Sequence, residues 1–373
     1  MQQGLPKRKE SLAWFLGYIF GMKRSAGRIH VRFCQPLSLA DDIDVPAALI
    51  PAGLAPAQIE TLRLAWEVCR RIEHSNPITS TSLIALTMLG ADPKPLSLAQ
   101  IRRSIDSIQY VIERRSLPIA NNLDVTSDES LHRVLDELTD TGTLRVTING
   151  QNAARTIADG QHLAASYYRN TVAHYFLVHA AAEFAVASAT ADAGRDLNEI
   201  ALGTVSACRE LLKYEFFLSP AGVFRERVRQ EMDDRFDGWR QRIRRGESPF
   251  SSASLPLFAP AILRSVFEAY YNVSRHLKSI DDAALETGNK SVLLRSCLKS
   301  ATKLRERDEI RSDAAVSLPL MESALKYADH EGAFDDDDAA RISARLQFAE
   351  RMRDMLTHLN RLQGDHDRLL EAH

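Results

Sequence analysis

The sequence predicts a mainly α-helical protein: a multi-helix bundle with a few short strands. Three observations predict it. Apolar residues recur at helical spacing through most of the chain. Strand-like patterning is confined to one segment near 28–34 and a hairpin near 143–158. The 373 residues are 45% hydrophobic and 26% charged, which supplies a sizeable core and excludes wholesale disorder. That length suggests two or three domains or one large helical assembly. The net charge of −2 gives no global electrostatic case for nucleic acid. Cys34, Cys69, Cys208 and Cys297 form no CxxC pair, so no metal or redox motif is expected and reduced thiols are the default.

Residues 7–24 have the spacing of an amphipathic helix, with Leu12, Phe15, Leu16, Ile19 and Phe20 near one face and basic residues at both ends. It reads either as a helix docked on its own protein or as one lying at a membrane surface. It is not a secretory signal, because Arg24, Arg28 and Arg32 follow with no small-residue cleavage site. Residues 28–33 then alternate, the period of a half-buried strand, and Pro36 ends it. Residues 40–56, with Pro46, Pro51, Gly53 and Pro56, form a linker or irregular cover.

From Ala57 the pattern is helical, with Ile59, Leu62, Ala65, Trp66 and Cys69 on one face. Residues 76–81 start a second helix, which Gly90 and Pro93 stop. Residues 96–115 form a third, with Ile101, Ile105, Ile108 and Ile112 inward, and residues 116–127 form a loop. A short helix over 131–138 leads to a strand at 144–148, an Asn149-Gly150 turn and a second strand near 154–158. Helix, turn and hairpin outline a winged helix. Basic residues are sparse on that helix, so nucleic acid is not an expected partner.

The remainder reads as helices at 159–189, 196–213, 222–245, 258–277, 288–302, 317–329 and 338–362, with a Ser/Pro loop over 246–257. The mixed charges of 222–245 indicate a solvated face. Asp335–Asp338 suits a helix start and lacks the alternation of a calcium loop. Val172–Ala189 approaches the length of a membrane span, but His174, His179 and Glu183 interrupt it, which favours a buried helix. At its mouth stands Tyr167-Tyr168-Arg169-Asn170-Thr171-Val172-Ala173-His174. Arg169 and Asn170 there either satisfy a buried polar network or face a site.

A His-x4-Asp pair can activate a hydroxyl nucleophile by general-base action. Two occur, His276 with Asp281 and His330 with Asp335, and neither is followed by a phosphate-binding segment. The five-residue step places the two side chains on different helix faces. No GxSxG, P-loop, GxGxxG or HExxH motif is present. His174 and His179 are also five apart, a poor spacing for ligating one metal.

Several ordered segments resemble one family. Residues 7–12 (KRKESL) followed by 27–39 (GRIHVRFCQPLSL) are similar to the stretch after the catalytic blocks of PlsB-type glycerol-3-phosphate acyltransferases. Gln35 stands where that family typically has an acidic residue. Residues 77–85 resemble its next helix start, Tyr167–Asn170 with His174 its C-terminal signature, and residues 211–217 and 263–270 two further stretches.

The resemblance implies acyl transfer from acyl-CoA or acyl-ACP to glycerol-3-phosphate in phospholipid biosynthesis, by a protein peripheral to the cytoplasmic face of the cell membrane. It places catalysis in an upstream N-terminal domain whose His-x4-Asp block is missing from this chain. No residue here is therefore assigned a catalytic, cofactor-binding or metal-binding role, and the chain alone is expected to be inactive. The implied divisions are 1–40, the tail of the acyltransferase domain; 41–160, a helical segment with the winged-helix-like hairpin; and 161–373, the C-terminal bundle. Arg169, Asn170 and His174 would then form one polar cluster at the start of a buried helix. The alternative is a non-catalytic helical module docking on a separate acyltransferase or membrane partner.

Overall fold

Reciprocal caps start three of the first four helices among the described residues. The computed structural model describes residues 30–38, 53, 55–121, 123, 125, 127–149, 152–191, 193–251, 256–280 and 290–371. Helix α1 (Pro56–Ser75) leads to α2 (Ser80–Ala91). At the head of α2, Ser82 N–H donates to Thr79 Oγ1 at 3.2 Å and Thr79 N–H donates to Ser82 Oγ at 3.0 Å. Ser97 with Gln100 caps α3 (Leu98–Arg114), and Ser127 with Ser130 caps α4 (Asp128–Asp140), in the same way. All four inward isoleucines expected on α3 are buried.

The hairpin is present as β2 (Leu144–Asn149) and β3 (Asn152–Ile157). A two-residue strand, β1 (Leu96–Ser97), pairs antiparallel with β3, so the sheet order is β1-β3-β2. Two residues are too few to show a period, which is why β1 has no sequence signal. In chain order the elements run α2, β1, α3, α4, β2, β3, with β1 against β3. Helix α4 carries five acidic residues against one arginine, the wrong sign for a phosphate backbone.

The strand expected near 28–34 differs from the expectation over its described part. Residues 30–34 join no sheet of the described residues, and Val31 and Phe33 are 72% and 95% exposed. The helix expected over 7–24 and most of the 40–56 linker lie outside the described residues.

The run expected as one helix over 159–189 is two, α5 (His162–Asn170) and α6 (Ala173–Thr190), set at 95°. Next come α7 (Leu197–Leu212) and α8 (Ala221–Arg235). The charged helix expected over 222–245 also divides, because Gly238 adopts φ +64° before α9 (Trp239–Arg244). One side of this pair is charged; the other buries Phe224, Val228, Met232, Trp239 and Ile243. Among the described residues four further α-helices follow: α10 (Ala259–Ser279), α11 (Lys290–Glu306), α12 (Leu318–His330) and α13 (Asp338–Glu371).

Helices α6 and α10 form the centre. Helix α6 packs against α7, α8, α10 and α13; α10 packs against α2, α6, α11, α12 and α13. Phe176 stacks on Phe258 at 4.8 Å, and Phe184 meets Phe267 edge-on at 5.2 Å. Alanine at 180–182 lets neighbouring backbones approach α6 closely, and all three are 0% exposed. No single helix among the described residues is long and apolar enough to cross a membrane. Helices α5 and α6 reach that length only as a bent pair, and the apolar surface of α6 is spent on the core. The C-terminal end of α13 reaches back to α2, where Gln363 and His366 donate to the Gly90 carbonyl at 2.9 and 3.0 Å.

Helix α10 has no capping side chain of its own. Glu183, fully buried on α6, takes that part: its carboxylate accepts the Ala259 N–H at 2.8 Å, with Arg235 of α8 3.3 Å away. The free N–H groups and positive dipole end of a helix favour an anion there. Burial nevertheless pushes the Glu183 carboxyl up to about 7. With its folded pKa raised, Glu183 stabilises fully below the ordinary value of 4.5, and that stability is lost as pH rises through about 7. Glu183→Gln keeps an acceptor and does not titrate. In urea unfolding at about pH 5 and pH 8, wild type should lose roughly 1–3 kcal/mol relative to the Gln variant. A difference independent of pH would show that Arg235 keeps Glu183 ionised throughout.

Candidate functional site

The Tyr167–His174 stretch forms the corner between α5 and α6. Tyr167 and Tyr168 point outward as a T-shaped pair, 69% and 39% exposed. Arg169 turns inward and is buried. Its Nε donates to Asn170 Oδ1 at 2.8 Å, Nη1 to the Ala261 carbonyl and Nη2 to Ser265 Oγ at 3.4 Å. The guanidinium thus ties the end of α5 to the first turns of α10. Burial lowers its pKa to about 10, still cationic at neutral pH. The expected polar network exists, at the end of α5 rather than at the start of a buried helix.

His174 does not belong to it. The corner sends His174 the other way, where its Nδ1 lies 3.9 Å from Glu73 Oε1 and its ring 5.5 Å from that of His74. Burial, then the His74 charge, lowers His174 to about 3, and burial raises Glu73 to about 7. The pair therefore favours its neutral forms. Tyr175 Oη donates to the His74 and Asn76 carbonyls at 2.8 and 2.9 Å, closing the end of α1.

One concavity adjoins the corner, and a larger one lies farther along α6. Arg169 lies under a polar cleft with His162, Arg264, Arg311, Asp92 and Asp313, of about 30 Å³. That is room for about one water molecule. His162 Nε2 is 3.1 Å from Asp92 Oδ1, a bond that raises the imidazole pKa. The larger concavity, about 810 Å³, is a groove between α3, α6 and α8, within the size range of small-molecule sites. Tyr110, Val111, Val178, Pro256 and Phe258 give it apolar lining, and Arg114, Arg115, Arg227 and Arg235 give it cations.

Ion pairs close most of the groove's charge. Arg115 binds Glu231 at 2.6 Å, Arg114 binds Asp234 at 3.1 Å, and Arg235 donates to the Pro256 carbonyl at 2.8 Å. His179 Nδ1 is hydrogen-bonded to Glu231. Burial outweighs that carboxylate and lowers His179 to about 4, so the imidazole is neutral. Among the described residues, no hydroxyl or thiol hydrogen-bonds to His179, so no nucleophile–base pair is assembled there.

The His-x4-Asp pairs form no dyad among the described residues. His276 is half-buried, with its pKa lowered by burial, and Asp281 lies outside the described residues. His330 is exposed at the end of α12. Its nominal partner Asp335 follows the left-handed Gly332 (φ +84°) and rests its carboxylate against that glycine. No group of three metal-ligating side chains occurs among the described residues.

The described residues form a helical bundle with a groove between α3, α6 and α8. A model of the glycerol-3-phosphate acyltransferase C-terminal region matches residues 2–337, so the chain belongs to that family, as the sequence resemblance indicated. The chain is 27% identical over 362 residues to proteins named putative acyltransferase plsB1 from Mycobacterium bovis and Mycobacterium tuberculosis. Those matches cover 93% of this chain and 56% of each relative. A glycerol-3-phosphate acyltransferase of Pseudomonas fluorescens is 24% identical over 191 residues, covering 48% of this chain and 22% of that protein. The chain thus spans about half the length of the mycobacterial relatives.

Arg169→Met would leave the Ala261 carbonyl without its donor. It should lower unfolding free energy by about 3 kcal/mol, whereas exposed Asn170→Ala should cost less than about 1 kcal/mol. Chemical denaturation measures both. Equal effects would show that Arg169 does not hold the corner.

Proposed function

We propose that this chain is the C-terminal helical region of a glycerol-3-phosphate 1-O-acyltransferase and supports an acyltransferase domain that carries the chemistry. The family match over residues 2–337 carries the reading. In this proposal the whole enzyme transfers an acyl group from acyl-CoA or acyl-ACP to glycerol-3-phosphate in phospholipid biosynthesis. It works as a peripheral protein on the cytoplasmic face of the membrane. The general base is a His-x4-Asp histidine of the upstream domain, and neither His276 nor His330 of this chain. The geometry at His330, where the aspartate rests on Gly332 instead of reaching the imidazole, supports that assignment.

The purified chain, given acyl-CoA and labelled glycerol-3-phosphate, should form no lysophosphatidate. Co-expression with the upstream portion of the Mycobacterium tuberculosis relative should restore acyl transfer. Activity of the chain alone that disappears in His276→Ala or His330→Ala would overturn the proposal. Tight binding to that portion without turnover would favour a non-catalytic docking module.

A further inference from the structure

The groove between α3, α6 and α8 carries a guanidinium that none of its acids answers. The described carboxylates lining it are all paired: Asp106 with Arg102 at 3.2 Å, Glu231 with Arg115 at 2.6 Å and Asp234 with Arg114 at 3.1 Å. Arg235 is taken up by the Pro256 carbonyl and Glu183. Arg227, exposed on α8, also lines the groove and has no ion pair among the described residues.

The pairs differ in how firmly they hold. Arg115 and Glu231 are the more enclosed, whereas the Arg114 and Asp234 side chains are 59% and 53% exposed. Water screens a pair of that kind almost completely, so Arg114 can leave Asp234 for a better anion at little cost. One guanidinium on each wall is therefore available, Arg227 on α8 and Arg114 at the end of α3. A carboxylate needs only one of them. A phosphate monoester is largely a dianion near neutral pH and has three acceptor oxygens, which suits two guanidinium forks at once.

The rest of the lining sets the body of the ligand. Tyr110, Val111, Val178, Pro256 and Phe258 give an apolar surface beside these cations, and the Tyr110 ring is 64% exposed. His179 adds a polar demand. With Nδ1 bonded to Glu231, its Nε2 is an acceptor, buried and without a hydrogen-bond partner. A buried polar atom in that state calls for a donor, which a hydroxyl or N–H of a ligand supplies.

We propose that this groove binds a phosphate monoester carried on an apolar or aromatic body, with the phosphate between Arg227 and Arg114 and the body along Tyr110, Val178 and Phe258. Two kinds of molecule share that chemistry, a single-chain alkyl phosphate and a nucleoside monophosphate. The inference concerns binding to this chain and does not depend on the function proposed above.

Calorimetric titration of the purified chain near neutral pH with octyl phosphate, adenosine monophosphate, octanoate and inorganic phosphate tests it. One of the two organic phosphates should bind about tenfold tighter than octanoate and than inorganic phosphate, and the tighter of the two identifies the body. Arg227→Gln should weaken that binding about tenfold and Arg114→Gln severalfold. Asp234→Asn releases Arg114 from its pair and should strengthen it severalfold. Arg244→Gln, at an exposed arginine of α9 outside the groove, should leave it unchanged. All four positions are exposed, and a thermal melt without ligand checks that each variant folds. Failure of both organic phosphates to bind would end the proposal. So would equally tight binding of octanoate or inorganic phosphate, or charge variants at 227, 114 and 234 that bind like wild type.

Discussion

The Glu183 carboxylate is the contact on which the bundle turns. It sits at the crossing of three helices, on α6, against Arg235 of α8 and at the bare N-terminus of α10. A buried carboxylate is costly unless hydrogen bonds and an opposite charge compensate it. Here backbone N–H groups, a helix dipole and a guanidinium offset part of that cost, and burial still raises the carboxyl to about 7. The group thereby ties α6, α8 and α10 together at one crossing. Helix α10 extends the pattern: Glu268 accepts the Arg311 and Ser312 N–H groups, and Asn272 donates to the Cys297 carbonyl. Apolar packing alone would leave the rotation of a helix buried on all sides poorly defined.

How much of this was legible in the sequence follows the range of the interactions. Local signals were readable. The Thr79 start of α2, the isoleucine stripe of α3 and the Asn149 hairpin all arise from contacts within a few residues. The family was readable too, from short segments in a fixed order. Signals that depend on partners far along the chain were not. Arg115 and Glu231 are 116 residues apart, and each resembles a solvated charge until the fold brings them together. The α5–α6 corner was hidden because residues 159–189 are apolar throughout, so nothing in their periodicity marks a change of direction. Placing His174 with Arg169 was the natural error of reading one helix where there are two.

The strand pattern at 28–34 and the helical face at 59–69 show a different limit. The strand finds no partner strand among the described residues, and the helical face divides, with Trp66 turned toward Phe217 and Leu62, Ala65 and Cys69 exposed. Periodicity reports that a surface is meant to be covered; it does not say by what. The groove between α3, α6 and α8 shows the same point from the other side. Its lining comes from three helices and the residues before α10, none of which looks like a site alone.

The length of α13 has a consequence for how the chain is made. Its 34 residues extend about 50 Å, and its last turns supply the Gln363 and His366 bonds to Gly90, across sequence separations of 273 and 276 residues. The small sheet is complete in sequence by Ile157, yet the end of α2 acquires these partners only once the last turns of α13 have been made. Synthesis therefore runs from first to last while consolidation closes from last to first. During elongation the Gly90 carbonyl lacks these two donors, which reach it only after most of α13 has been made.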